Sequence, residues 1–188
     1  AGFSPEEGFF FARIEEGGGV RVKCEIGGGS LDGRAGSDYC DRMQNDRKRI
    51  QIEDKYAHAL GLATYCFAIC EWNAVWSAER LQPGYIATIE PMRKTAGIIA
   101  RELVDLVNAI GDSNLRATCL APSLEFQRLV QERNGLLHGK PGTATNGDQR
   151  LFRHGQEWSI AAIEAFSDEV AACSILLNDM VHRHLVTP

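Results

Sequence analysis

No run of about eighteen apolar residues occurs in this chain, so the sequence offers no membrane-spanning helix. A basic stretch followed by an apolar segment is missing from the first residues, and no secretory signal is expected. GxGxxG and P-loop patterns are absent, which argues against a doubly wound nucleotide-binding fold. Cysteines stand at 24, 40, 66, 70, 119 and 173, but none forms a CxxC and none joins a histidine cluster. A zinc site is therefore not expected, nor any other metal or cofactor. Cys66 and Cys70 are spaced i, i+4 within an apolar helical run, the pattern of small buried thiols, and a reducing cytoplasmic setting follows. Positive charge is also scarce. With 20 Lys and Arg against 25 Asp and Glu the net charge is −5, so any RNA contact must come from a local basic patch.

What is present divides unevenly. The 188 residues suit one domain with a small appendage. Residues 1–36 hold ten of the nineteen glycines. "FFFARIE" (9–15) and "VRVKCEI" (20–26) read as two strands around Gly17-Gly18-Gly19, a β-hairpin arm. "GGGS" (27–30) reads as a flexible linker, and the arm is either native or an engineered fusion. An isolated hairpin is marginal in water, so it must dock on the body or pair with another chain.

From residue 37 to 188 the period is helical. A first helix lies within 40–80, charged from Asp41 to Lys55 and apolar from Ala57 to Trp76, and closes at Gln82-Pro83-Gly84. Trp72 and Trp76, one turn apart, read as a core or interface pair. Over 85–110, Ile86, Ile89, Arg93, Ala96, Ile99, Leu103, Leu106 and Ile110 recur at helical steps, predicting one amphipathic helix of about seven turns. A third helix is expected from Pro122-Ser123, with Ser123 as N-cap and Phe126, Leu129, Val130 and Leu137 buried, ending at His138-Gly139. Residues 139–157 read as a long polar loop. A last helix spans Ser159 to His184 along Ile163, Phe166, Val170, Cys173, Leu177, Met180 and Val181. The fold class is all-α: an antiparallel bundle of four to five helices with an N-terminal β-hairpin arm.

The stretch "QERNGLLHGKPGT" (131–143) carries the chemistry. Asn134 and His138 are i, i+4 and share a helix face, and the long Arg133 side chain can converge with them beyond the helix end. Histidine moves protons near neutral pH. Arginine forks onto phosphate oxygens and stabilises charge that grows there. An amide orients either one. Together they suffice for metal-independent RNA cleavage, in which a ribose 2′-OH attacks the adjacent phosphate. Spacing alone admits a plainer reading: a cationic histidine at a helix C-terminus favours the helix dipole. His182 and His184 are read in that way.

Arg133-Asn134-x-x-x-His138, near the end of the penultimate long helix of a strand-free bundle, resembles the HEPN superfamily. Its signature is R-x(4–6)-H with a polar residue after the arginine. As architecture the resemblance covers roughly residues 45–186; as a motif it covers six residues. It implies a toxin- or defence-like endoribonuclease, working as a homodimer whose two motifs share one cleft, with an antitoxin protein as a possible partner. Arg133, Asn134 and His138 are then the catalytic residues. Other members bind a nucleotide or a partner protein without cleaving, and a helical interaction protein is a further reading. Between Arg128 and His154, five basic residues (Arg128, Arg133, Lys140, Arg150, Arg153) stand against Glu132 and Asp148, a local balance of +3. Arg128, Lys140, Arg150 and Arg153 are the expected RNA-binding residues. Phe152 is a stacking candidate and His154 a reserve acid or base.

Overall fold

A computed structural model describes residues 52–186. The expected hairpin, the linker and the charged beginning of the first helix lie outside them. The described chain is mostly helical: α1 (Asp54–Leu81), α2 (Ala96–Asn108), α3 (Ser113–Leu137) and α4 (Ile160–Asp179). A three-stranded antiparallel sheet, β1 (Lys140–Thr143), β2 (Gln149–Arg153) and β3 (Gln156–Trp158), separates α3 from α4. None of these helices is long and apolar enough to cross a membrane.

The core forms where apolar residues recur every three or four positions. On α1 these are Tyr56, Ala59, Ala63, Phe67, Cys70, Ala74 and Ala78, all buried. The stripe expected on α4 is buried from Ile163 to Val181, with the last two residues in a π-helical turn over Met180–His184. Ser159 caps α4, accepting a hydrogen bond from the Ala162 N–H at 3.2 Å. Cys70, Cys119 and Cys173 are buried among these apolar side chains, and Cys66 is partly buried. A hydrogen bond with Cys173, together with burial, pushes the Cys70 thiol up, so it stays protonated and inert.

Hydrogen bonds fix the helix directions. Asn73 Nδ2 donates to the Ser174 carbonyl and hydroxyl, and Ser77 Oγ, hydrogen-bonded to the Asn73 carbonyl, lies 3.5 Å from the Leu177 carbonyl. Residue numbers rise together along this seam, so α1 and α4 run parallel. The Cys173 thiol donates to the Pro122 carbonyl and Arg128 pairs with Glu169, so α3 runs opposite to α4. The expected all-antiparallel arrangement is thus corrected. The reason lies at one end of the bundle, where the sheet joins the finish of α3 to the start of α4. There β2 is tied to the start of α1: the Leu151 N–H donates to the Tyr56 hydroxyl at 3.0 Å.

Three further expectations are corrected. The seven-turn helix over 85–110 is a 3₁₀ turn (Ile86–Thr88), an irregular segment and then α2. Pro91 lacks the N–H that continuation requires, and Arg93 adopts φ +48°. Glu79 holds the segment by accepting from the Gly84 and Ile86 N–H groups at 2.7 and 2.8 Å. Lys94 closes it, donating to Glu102 at 2.7 Å beneath the Tyr85 ring. The third helix is capped eleven residues before the expected Ser123, because Asp112 accepts from the Asn114 and Leu115 N–H groups, both 2.8 Å away. Pro122 sits inside the helix, and Ser123 is no cap: its hydroxyl bonds back to the Cys119 carbonyl at 2.8 Å. At its far end Leu136 is buried and Leu137 is 43 % exposed, a one-residue shift of the apolar face.

The polar loop over 139–157 is the sheet. Gly139 is required by close approach, since a Cβ there would lie 3.0 Å from Leu151 Cβ and 3.1 Å from the Leu136 carbonyl. His154 and Gly155 form the two-residue β2–β3 turn with φ of +52° and +79°, the conformation of a type I′ hairpin. Replacing Gly155 with alanine places a Cβ in the left-handed region. It is expected to cost about 1–2 kcal/mol, read as a lower denaturation midpoint at unchanged m-value. His154→Asn, which tolerates the same region, should leave stability nearly unaltered.

Candidate functional site

The motif occupies the last turn of α3. Arg133 and Asn134 are half-buried, and His138 is exposed as the C-cap residue. Its backbone N–H bonds to the Asn134 carbonyl at 3.1 Å, closing the final helical turn. Arg133 Nη1 donates to Asn134 Oδ1 at 3.2 Å, so the amide steadies the guanidinium beside it. That guanidinium lies 5.1 Å from the centroid of the Phe67 ring on α1, and Phe67 in turn stacks on Phe126 of α3. The cation therefore rests on a pair of rings that belong to the core.

Glu71, one turn beyond Phe67 on α1, completes this setting. Burial raises its carboxyl above the ordinary value, and the Arg133 charge draws it partly back down. Such a shift means that ionised Glu71 is less stable in the folded chain than in the unfolded one. Its cost is absent below the unfolded carboxylate pKa, grows as pH rises above that value and is complete once pH passes the folded one. Glu71→Gln is thus expected to raise stability at neutral pH, with the gain vanishing in acid. Denaturant midpoints at both pH values check it.

The four basic residues expected to hold RNA fall into two groups. Arg128 is engaged by three carboxylates, Glu125 and Glu132 at 2.6 Å and Glu169. Arg150 is only 7 % exposed; its guanidinium meets Glu53 at 2.8 Å, Asp148 at 2.7 Å and Glu157 at 3.7 Å, over the Tyr56 ring. Arg150 is withdrawn from solvent, and the charge of Arg128, though its side chain is 43 % exposed, is already matched by carboxylates of its own helix and of α4. Lys140 is different. It is exposed at the first position of β1, two residues beyond His138. Arg153 is half-buried and reaches the His138 carbonyl through a long 3.5 Å contact. Arg153 and Lys140 therefore flank the motif, while Arg128 and Arg150 hold the fold.

Phe152, the stacking candidate, is half-buried over Gly142, where a Cβ would come within 3.1 Å of its ring. His154 is a turn residue. Gly135, inside the motif, faces Trp158, whose Cζ2 would lie 3.6 Å from an added Cβ. His182 and His184 are exposed on the terminal π-helical turn. A cavity of about 340 Å³ lies elsewhere, lined by Gln82, Tyr85, Met92, Lys94, Glu102 and Asp105 among others, and no motif residue borders it.

No protein-family model, curated protein or solved structure matches this chain.

Proposed function

We propose that the chain is a metal-independent endoribonuclease of HEPN type, acting on RNA at the end of α3. The observation that carries this reading is the Arg133–Asn134 pair in the turn that ends on exposed His138, with Lys140 and Arg153 beside it. His138 takes the proton of a ribose 2′-OH. The 2′ oxygen then bonds to phosphorus as the P–O5′ bond breaks, leaving a 2′,3′-cyclic phosphate and a 5′-hydroxyl. Arg133, steadied by Asn134, offsets the extra negative charge on the five-coordinate phosphate. Lys140 and Arg153 hold neighbouring phosphates. A second copy's motif, brought to the same cleft, would return a proton to the departing 5′ oxygen.

A non-catalytic module that binds a nucleotide or a partner protein is the second reading. It is favoured by the seat of Arg133 on Phe67 beside Glu71, which restrains the cation. RNA incubated with the full chain in EDTA separates the two. Cleavage with a 2′,3′-cyclic phosphate end supports the nuclease; saturable nucleotide binding with intact RNA supports the module.

A further inference from the structure

Helix α1 has two apolar faces, and the core uses only one. Leu62, Tyr65, Ile69, Trp72 and Trp76 remain 48 %, 66 %, 45 %, 52 % and 49 % exposed, respectively. Their spacing is three, four, three, four: an uninterrupted seam of the kind that pairs with another helix. At 100° per residue the seam lies about 140–220° around α1 from Phe67, on the far side from Arg133.

The order of side chains says what covers it. Ile69 is the midpoint: Leu62 and Trp76 stand seven residues to either side, and Tyr65 and Trp72 four and three. Laid antiparallel on itself about a two-fold axis at Ile69, the helix sets Ile69 against Ile69, Tyr65 against Trp72, and small Leu62 against large Trp76. Small against large at both ends, with aromatics meeting on either side of the axis, is the self-complementarity an isologous contact needs. The five side chains expose roughly 600 Å² per copy, so pairing removes about 1,200 Å² from water, at the lower edge of what a specific stable interface buries. Aromatic anchors at its centre are the residue types that dominate such contacts.

We infer that α1 pairs with α1 of a second copy, antiparallel and centred on Ile69. This pairing turns the two Arg133 sides outward, so it is a contact separate from the shared cleft of the nuclease reading, and either can fail without the other. Light scattering and sedimentation on the full chain test it. The expected result is a dimer at micromolar concentration that Ile69→Glu and Trp72→Glu each weaken by roughly 100-fold or more, with unchanged far-UV circular dichroism. Under mild oxidation Ile69→Cys, on the axis, should yield a disulfide-linked dimer where Ala68→Cys does not. A full chain that stays monomeric at tens of micromolar would overturn the inference, whether or not residues 1–51 are what covers the seam. A dimer indifferent to both glutamate substitutions would also overturn it.

Discussion

His138→Ala is expected to lower RNA cleavage by about 10²–10⁴-fold, the range that a positioned proton-transfer group contributes. RNA affinity should move little, because the phosphates are held by Lys140 and Arg153 rather than by the imidazole. Stability should also hold. His138 is exposed at the C-cap, and what the helix needs from it is a backbone N–H that alanine keeps. Its loss therefore removes chemistry and leaves the fold. The companion variant Arg133→Lys keeps the charge but loses the planar fork that lies against Phe67 and bonds Asn134. The measurement is single-turnover cleavage of a labelled oligonucleotide alongside filter binding. Cleavage that survives His138→Ala undiminished would falsify the assigned role.

Arg150→Met is expected to do the reverse, destabilising the protein by about 2–3 kcal/mol without a direct effect on phosphate binding. The guanidinium is 7 % exposed and links three otherwise separate pieces: Glu53 just before α1, Asp148 in the β1–β2 turn and Glu157 on β3. It also lies 4.6 Å from the Tyr56 ring centroid and donates to the Gln149 carbonyl at 2.9 Å. Methionine fills the volume and removes every one of these bonds. The cost stays below that of a fully buried triad because the three carboxylates are each a third or more exposed and regain water. A denaturation midpoint shifted by less than about 0.5 kcal/mol would show that the hub is dispensable. A phosphate ligand would behave differently, with a shallower salt dependence of RNA binding at unchanged stability.

How far the sequence could be read depended on how far the deciding partners lay along the chain. Periodicity placed the α4 stripe and most of the buried face of α3, because both are local consequences of a 3.6-residue repeat. It failed over 85–95, where apolar spacing continues past Pro91 but the hydrogen-bond ladder cannot. It failed again at Pro122, which reads as a start signal yet is carried inside a helix already nucleated by the Asp112 cap. The sheet was hidden because β1 contains Pro141 and Gly142, and β2 lacks the polar–apolar alternation of a strand, with Leu151 and Phe152 adjacent between Arg150 and Arg153; Asn146-Gly147 was the available turn signal. At the site, local spacing suggested Arg133, Asn134 and His138 as neighbours, and Arg133 and Asn134 are indeed bonded. The seat on Phe67 and Glu71, some sixty residues earlier, was not legible. Glu132 and Asp148 entered the charge count, but Glu169 on α4 and Glu53 before α1, which also engage Arg128 and Arg150, did not, since tertiary packing delivers them.

The sheet described above also limits how copies of this chain can meet. Strand addition, the commonest hazard of an open sheet, needs an edge with a full row of donors and acceptors. Among the described residues the edges are β1 and β3. Pro141 deprives β1 of a donor, and β3 is three residues long, too short to template a growing ladder. Fibre-like growth through this sheet is therefore discouraged at both edges by backbone chemistry alone.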